Sequence, residues 1–296
     1  REHRSVTTMR LYALLVVTVG VTSGDRGLLD WKNLRSLIAG RAVNIHVGAH
    51  FHDLKDESTT DFFIAFDPRW NMSLVNSTLT LPYIVVASPG YSHVPFHVHR
   101  RPTCSSTLEY WDESDQETYM KNARRACDAF TQARPPSEWI GWENHARQAS
   151  TLKSMGPPGC FLCQRKVGVR RTEVLPAIGL ITLVRGLRAP IKRLHIDAQG
   201  IDFSLIRSLG ELITTVEEVK IECQLKKYSA NNWMYRSTPL VPPNDCAAAI
   251  PLLQQHGFKQ TRLQINNCGC EEYVLWACRA EDAKCGRTPE KEWRWI

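Results

Sequence analysis

Residues 42–48 read Ala-Val-Asn-Ile-His-Val-Gly, a short run rich in β-branched residues that ends at a glycine. Such a run, closed by a tight turn, predicts a buried strand. Similar runs at 62–66 and 83–87 are followed by Asp67 and Ser88. Short apolar strands that each end in a small or polar residue are typical of a parallel sheet, whose ligand lies beyond the carboxyl ends of its strands. The sequence therefore predicts an α/β domain with a site at that edge.

The second half of the chain continues the alternation of strands and helices. Residue periodicity and a cap candidate, Asp245, define the further elements. Strands are expected at 193–197, 219–223, 261–265 and 273–277, and helices at 202–209 and 245–255. This order predicts a doubly wound, mostly parallel sheet with a C-terminal antiparallel strand pair.

The spacing between the first two strand ends points to a class of ligand. Asp67 follows Gly48 by nineteen residues. A glycine allows the backbone to approach a ligand, and a carboxylate about 20 residues later holds ribose hydroxyls in nucleotide-binding folds. The spacing favours recognition of an adenosine group, although the same pair is common in α/β proteins.

The amino-terminal segment has the pattern of a secretory signal. Met9 and a basic residue precede the apolar run 11–21, which small residues follow. The run is shorter than the ~20 residues that span a bilayer. We therefore expect residues 1–24 to be a signal region, with residues 1–8 upstream of the initiator, a secreted or lumenal protein and no stable membrane span. The alternative is a buried amino-terminal element, in which case the protein is cytoplasmic.

Cysteines and glycosylation sequons agree with the secretory route. Sequons begin at Asn71 and Asn76, and the chain has ten cysteines. An even number of cysteines predicts several disulfides, whose pairing the sequence leaves open. The alternative is a zinc site or a redox pair at 160–163, where two residues separate the cysteines. The pair at 268–270 has one intervening residue, which departs from the repeated spacing of zinc sites. We therefore expect no metal site.

The basic charge is concentrated in one segment. Residues 121–171 carry ten basic and three acidic side chains. The difference of seven equals the net charge of the whole chain, +7. Prolines interrupt the segment, and it lacks the interleaved aromatic residues of a nucleic-acid stacking platform. We expect a solvated basic insertion at about 110–164 and no nucleic-acid partner.

Two segments together resemble a known family. Residues 85–109 contain Ala87-Ser88, Val94-Pro95-Phe96-His97-Val98 and Thr103-Cys104-Ser105-Ser106-Thr107, and they resemble the central region of FkbM-type methyltransferases. Residues 195–202 read His-Ile-Asp-Ala-Gln-Gly-Ile-Asp and resemble the second signature of that family. The resemblance covers roughly residues 42–109 and 165–278.

The resemblance implies a Rossmann-like class I methyltransferase that uses S-adenosyl-L-methionine. Its domain would span 25–285, followed by a tail at 286–296. The acceptor would be a hydroxyl of a small molecule or glycan, and the oligomeric state stays open. Asp67 would hold the ribose, and Ala87 and Ser88 would lie near the adenine. The full set of implied cofactor-binding residues is Val47, Gly48, Ala49, Asp67, Pro68, Ala87 and Ser88.

Methyl transfer to oxygen requires an in-line approach, and a base that takes the hydroxyl proton adds about 10²- to 10⁴-fold. Asp197 is the first candidate for this base, followed by His195 and His50, because each is at or next to a strand end. Strand alternation puts His195 on the same side as Asp197. The alternatives are that Asp197 caps the next helix and that the histidines are structural.

The acceptor side would be formed by Gln199, Gly200 and Glu222, with a structural salt bridge as the alternative for Glu222.

Two functions other than methyl transfer stay open. Side chains at 49–53 replace a second glycine that family members commonly have, which favours a Rossmann-like binding module without activity. The basic insertion also contains Trp139 and Trp142, which favours a carbohydrate-binding protein of the secretory pathway.

Overall fold

The computed structural model describes residues 29–48, 61–68, 72–75, 77–99, 105–108, 169–224, 244–265 and 272–280. Within these ranges the chain forms an eight-stranded mixed sheet and a separate three-stranded sheet. The strands are β1 Val43–Val47, β2 Phe62–Phe66, β3 Ser73–Val75, β4 Thr78–Leu81, β5 Ile84–Val86, β6 Tyr91–His99, β7 Val169–Gly179, β8 Ile191–Ile196, β9 Val216–Gln224, β10 Gln260–Ile265 and β11 Glu272–Cys278. The helices are α1 Trp31–Ile38, α2 Leu180–Leu187, α3 Asp202–Leu209 and α4 Cys246–Gln255, and a 3-10 helix spans Gly210–Thr215.

The large sheet is wound in both directions from its central strand. Its order is β10-β11-β9-β8-β1-β2-β4-β3. The chain passes from β1 to β2 and β4 on one side, and then returns to add β8 and β9 in parallel on the other side. The topological switch point, where ligands bind in such sheets, therefore lies between β1 and β8. The α/β class and the mostly parallel sheet are confirmed.

The expected C-terminal antiparallel pair is also present. β11 runs antiparallel to both β10 and β9, and it lies between them. The expected helices match as well. One spans Asp202–Leu209, and the other begins after Asp245, whose carboxylate accepts a hydrogen bond from the amide of Ala247.

The core is built around the central strands, because β1 and β2 are buried along their whole length. Ile45, Leu194 and Val219 occupy matched positions on β1, β8 and β9 and are almost completely buried. They belong to one apolar cluster with Leu183 of α2 and Leu205 of α3. Each such aliphatic side chain stabilises the fold by about 1.5–3 kcal/mol. Hydrophobic burial on this face thus fixes the strand register beneath the site.

The strand expected at 83–87 is present at 84–86, but the prediction that it joins the same parallel sheet as the first two strands was wrong. The third strand on that side is β4, which pairs in parallel with β2. Residues 84–86 instead form β5, which pairs with β7 in the three-stranded sheet. Pro82 separates β4 from β5, and a proline has no amide hydrogen with which to continue the ladder. The chain therefore leaves the large sheet at Pro82.

One disulfide of the expected set joins described residues. It links Cys223 of β9 to Cys246 at the start of α4, and Cys278 is disulfide-bonded as well. Disulfides form in oxidising compartments, so the bond is compatible with a secreted or lumenal protein. Among the described residues, no helix has both the length and the apolar character needed to cross a bilayer.

Several sequence predictions concern parts of the chain outside the described residues. These are the signal region at 1–24, the sequon asparagines Asn71 and Asn76, the basic insertion at 110–164, the cysteine pairs at 160–163 and 268–270, and the tail at 286–296.

Arg279, the residue directly after β11, hydrogen-bonds to three different elements. Its guanidinium group donates to the carbonyl oxygens of Val216 at 2.7 Å, His256 at 2.6 Å and Ile213 at 3.0 Å. The group also lies 4.3 Å from the ring centre of Phe258. The three acceptors are the start of β9, the C-cap of α4 and the 3-10 helix. The planar guanidinium group carries several N–H donors, so it can hydrogen-bond to carbonyl oxygens in three directions.

We predict that Arg279→Lys lowers the free energy of unfolding by about 1–3 kcal/mol, because a single ammonium group cannot reach all three carbonyl oxygens. Urea unfolding of the disulfide-intact protein measures the change. Arg207→Lys, on the exposed face of α3, is the matched control and should have little effect. A loss below about 0.5 kcal/mol for Arg279→Lys, the range of ordinary surface changes, would contradict this prediction.

Candidate functional site

A cleft opens at the carboxyl ends of β1, β2 and β8, beside the switch point. Its empty space, which includes the open solvent at its mouth, is about 620 Å³. The cleft is lined by Val47, Gly48, Phe66, Asp67, Pro68, Tyr83, Ile84, Val85, Phe96, Ser105, Ser106, Thr107, Asp197, Ala198, Gln199 and Ile201. The topology alone thus brings the ends of three predicted strands to one site.

Gly48 lies where β1 meets the end of β8. Its φ is +75°, and a Cβ atom built on it would lie 1.8 Å from the carbonyl oxygen of Asp197. The amide of Asp197 donates to the carbonyl of Val47 at 2.9 Å, and the amide of Gly48 donates to Phe66 at 3.0 Å. The glycine is therefore required by the approach of two backbones and by its own conformation. Both strand ends are fixed by this contact.

Asp67 follows β2 and lies in the cleft wall with 2% of its surface exposed. Its amide donates to the carbonyl of Leu81 at the end of β4. A buried carboxylate must have hydrogen-bond donors around it, because an unsatisfied charge in the interior is strongly destabilising. Asp67 therefore contributes a buried carboxyl group to the cleft wall.

An apolar wall faces the same cleft. It consists of Phe66, Tyr83, Ile84, Val85 and Phe96. The pKa of Tyr83 is raised, first by burial and then by Tyr91, so its hydroxyl stays protonated. Flat apolar groups of a ligand can pack against such a wall.

Ala87 and Ser88, which were expected near an adenine, are not among the residues that line the cleft. They lie in the bend between β5 and β6. The carbonyl oxygen of Ser88 is so close to Gly179 that a Cβ there would meet it at 2.1 Å. Their position follows from the departure of the chain at Pro82, which puts residues 83–85 in the wall instead.

The loop after β8 has an unusual backbone conformation. Gln199 has a φ of +51° and Gly200 a φ of +106°. A left-handed conformation is uncommon for a residue other than glycine, and here side chains hold it. The amide group of Gln199 donates to Oδ1 of Asp197 at 2.7 Å, and the hydroxyl of Ser106 donates to the carbonyl of Gln199 at 2.9 Å. These contacts hold both Asp197 and Gln199 in the cleft wall.

Ser105, Ser106 and Thr107 are lining residues that the sequence analysis did not assign to a site. Ser106 pairs with His97 of β6 through backbone hydrogen bonds, and the Ser105 hydroxyl accepts from the amide of His99 at 3.0 Å. The small sheet thus brings this segment over the loop after β8. The only available signal was the family-like Cys-Ser-Ser-Thr motif at 104–107, because no local pattern predicts this long-range contact.

Asp202, the first residue of α3, is completely buried below the cleft. Its pKa is raised to about 7, first by desolvation and then by the charge of Asp197, while hydrogen bonds from Asn244 and Ala198 oppose the shift. The carboxyl group accepts from Asn244 at 2.9 Å and from the amide of Ala198 at 3.4 Å. Two carboxyl groups therefore interact here: Asp197 lines the cleft, whereas Asp202 does not line it and is completely buried.

His195 lies within β8 and is not a lining residue. Its ring stacks on His46 of β1 with 3.9 Å between the ring centres. Its pKa is lowered well below the ordinary value by desolvation, and further by His46, Lys220 and Arg193. The ring is therefore uncharged at neutral pH, and it packs on the sheet face opposite the main aliphatic cluster.

The structure thus separates the predicted site residues into three groups. Those that line the cleft are Val47, Gly48, Asp67, Pro68, Asp197 and Gln199. Those that are described but do not line it are Ala87, Ser88, His195, Gly200 and Glu222. Ala49 and His50 lie outside the described residues. Within the described ranges, no group of three His, Cys, Asp or Glu side chains has the arrangement of a metal site.

Comparison with known proteins found no family model, no curated protein and no solved structure that matches this chain. The functional conclusion therefore depends on the cleft and on the residues that form it.

We predict that Gly48→Ala destabilises the fold by more than about 4 kcal/mol, because its Cβ would overlap the backbone of Asp197. Gly40→Ala is the matched control. Gly40 has a φ of +74° but no atom within 4 Å of a built Cβ, so only the backbone strain of about 1–2 kcal/mol applies. Thermal unfolding distinguishes the two variants, and equal losses would contradict the close approach of β1 and β8.

We predict that Asp202→Asn flattens the pH dependence of stability. The pKa of this carboxyl is about 7 in the folded state and about 4 when unfolded. Between these values the native state binds more protons, so the free energy of unfolding falls as pH rises from about 4 to about 7. The full difference is on the order of 4 kcal/mol above that window. It is absent below about pH 4, where both states are protonated.

Urea unfolding at several pH values across this window measures the slope in the wild type and the variant. Asp245→Asn, which removes the half-buried carboxyl group that accepts from the amide of Ala247, is the control. If Asp202→Asn retains the wild-type slope, the buried carboxyl group is not its source.

Proposed function

We propose that the chain binds S-adenosyl-L-methionine in this cleft and transfers its methyl group to a hydroxyl of a small molecule or glycan. The observation that carries the proposal is the buried carboxylate of Asp67 in the wall of a cleft at the switch point. Carboxylates at this place in doubly wound sheets bind ribose hydroxyls. The sheet supports the same reading, because the antiparallel β11 between β9 and β10 resembles the strand arrangement of class I methyltransferases.

The residues of the cleft suit the chemistry of this cofactor. Asp67 would accept hydrogen bonds from the ribose, and the apolar wall, with Tyr83 and Val85, would pack against the adenine. Asp197 would stand near the positively charged sulfur, which a carboxylate stabilises. Gly48 is a weaker argument, because its close contact with Asp197 accounts for the glycine without a ligand.

S-adenosylmethionine supplies, when bound, a methyl group on a positively charged sulfur. The residues of the chain would orient the acceptor hydroxyl in line with that methyl group, and this positioning contributes most of the rate. Asp197, held by Gln199 at 2.7 Å, would receive the proton as the acceptor oxygen forms its new bond to carbon. We therefore propose Asp197 as the base. His195 is not proposed for that role, because it does not line the cleft.

We infer that the protein acts in the secretory pathway, as the disulfide between Cys223 and Cys246 and the predicted signal region suggest. A lumenal enzyme would depend on cofactor that is imported from the cytosol.

The second candidate function is a binding module that uses the same cleft without methyl transfer. Its support is that the second glycine expected after Gly48 is missing from the sequence.

We predict that Asp67→Ala weakens the binding of S-adenosylmethionine and S-adenosylhomocysteine at least tenfold, because hydrogen bonds to a charged group contribute about 1.5–3 kcal/mol. Calorimetric titration of both ligands measures the affinity. Asp30→Ala, which removes the N-cap of α1 and does not line the cleft, is the control and should bind as the wild type does.

Failure of the folded wild type to bind either ligand up to millimolar concentration would overturn the proposal. Binding without methyl transfer to any hydroxyl acceptor would favour the binding module.

A further inference from the structure

Three consecutive residues at the start of α4 make three different connections. Asn244 contacts the start of α3, Asp245 caps α4, and Cys246 forms the disulfide with Cys223 of β9. Asn244 and Cys246 are both buried, with exposed fractions of 5% and 0%. The segment therefore joins β9, α3 and α4 at one buried point.

Asn244 uses both ends of its side chain at this point. Its Nδ2 donates to Oδ2 of Asp202 at 2.9 Å, and its Oδ1 accepts from the amide of Phe203 at 2.9 Å. The other carboxyl oxygen of Asp202 accepts from the amide of Ala198. A chain of hydrogen bonds thus runs from Asn244 through Asp202 to the loop after β8.

That loop is a wall of the cleft, because Asp197, Ala198 and Gln199 all line it. Gln199 has a left-handed backbone conformation, which persists only where surrounding contacts enforce it. Ser106 holds the loop from one side through the Gln199 carbonyl. Asp202 and Asn244 hold it from the other side.

The disulfide determines where Asn244 can lie. Residues 225–243 separate β9 from Asn244, and Cys223 and Cys246 are 23 residues apart. Closing a loop of this length by hydrogen bonds alone is opposed by chain entropy, which a disulfide removes from the unfolded ensemble. Because Cys246 is only two residues from Asn244, closing the bond brings the amide group to Asp202.

We propose that Asn244 is a positioning residue for the cleft, and that formation of the Cys223–Cys246 disulfide is the maturation step that sets it in place. In this step two thiols lose two electrons and two protons to a disulfide oxidant, which becomes a dithiol, and the S–S bond forms. The bond is buried, so it acts during folding and not as a rapidly reversible switch. The effect on ligand affinity rests on the proposed function, whereas the effect on the loop does not.

We call the hydrogen-bonded pair Asn244 and Asp202 the clamp. An exchange of their two side chains tests whether it holds the loop after β8. Asn244→Asp puts two carboxyl groups face to face, and Asp202→Asn puts two amide groups face to face. The double variant Asp202→Asn with Asn244→Asp restores one carboxylate and one amide, and it leaves acceptors for the amides of Ala198 and Phe203. A pair of contacting residues should therefore show strong coupling in this cycle.

Two measurements are made on each disulfide-intact variant. The first is hydrogen exchange of the amides at 198–203 without ligand, and the second is calorimetric affinity for S-adenosylhomocysteine. We expect Asn244→Asp to raise both the exchange rates and Kd at least tenfold, and the swap to return both to within about threefold of the wild type. Replacing Cys223 and Cys246 by alanine should raise the exchange rates of the same amides. Asn244→Ala removes the hydrogen bonds to Asp202 and Phe203 while the disulfide is kept, and it should raise these rates as well.

Arg279→Lys separates positioning from general loss of stability. It weakens contacts near β9 and α4 without touching Asp202, so its Kd should match that of the wild type. Equal weakening of binding by Arg279→Lys, unchanged exchange at 198–203 in Asn244→Asp, or a folded swap variant that stays impaired would each overturn the clamp. If the wild type does not bind S-adenosylhomocysteine, the proposed function fails, and the exchange measurement still decides the clamp.

Discussion

The contact between Gly48 and Asp197 is the constraint on which the site depends. The two backbones are so close that no side chain fits at Gly48, and the amide of Asp197 hydrogen-bonds to Val47 next to it. This contact fixes the ends of β1 and β8 at the switch point of the sheet. Asp67 and the loop after β8 are then held on opposite sides of one cleft. The packing of the strands determines the shape of the cleft, and the polar residues that follow the strands determine which ligand groups it can bind.

The small sheet supplies part of the wall of the cleft. β6 carries Phe96 into the wall, and His97 pairs with Ser106, whose hydroxyl reaches Gln199. The same hydrogen bond supports the left-handed backbone at Gln199. A loop in such a conformation is stable only when its neighbours over-determine it. The shape of the site therefore depends on segments that are more than ninety residues apart in sequence.

The sequence was sufficient to predict the elements whose cause is local. β1 and β2 are short apolar runs, α3 has apolar residues at helical spacing, and the cap at Asp245 is a local hydrogen bond. Gly48, Asp67 and Asp197, which stand at the ends of predicted strands, line one cleft, and their roles stay predictions. Residues 83–87 have the same apolar pattern in either sheet, so only the tertiary structure distinguishes the two. The contacts of Ser106 and the partner of Cys223 are long-range, and no spacing in the sequence determines them.

The covalent connection between β9 and α4 also affects how the chain responds to proteolysis. A single cut anywhere in 225–243 would leave two fragments that the bond between Cys223 and Cys246 still joins. The second fragment contains β11, which is hydrogen-bonded between β9 and β10 and so remains part of the sheet. A nicked chain would migrate as one species until it is reduced. A cut within 225–243 therefore does not separate the last two strands covalently from the rest of the chain.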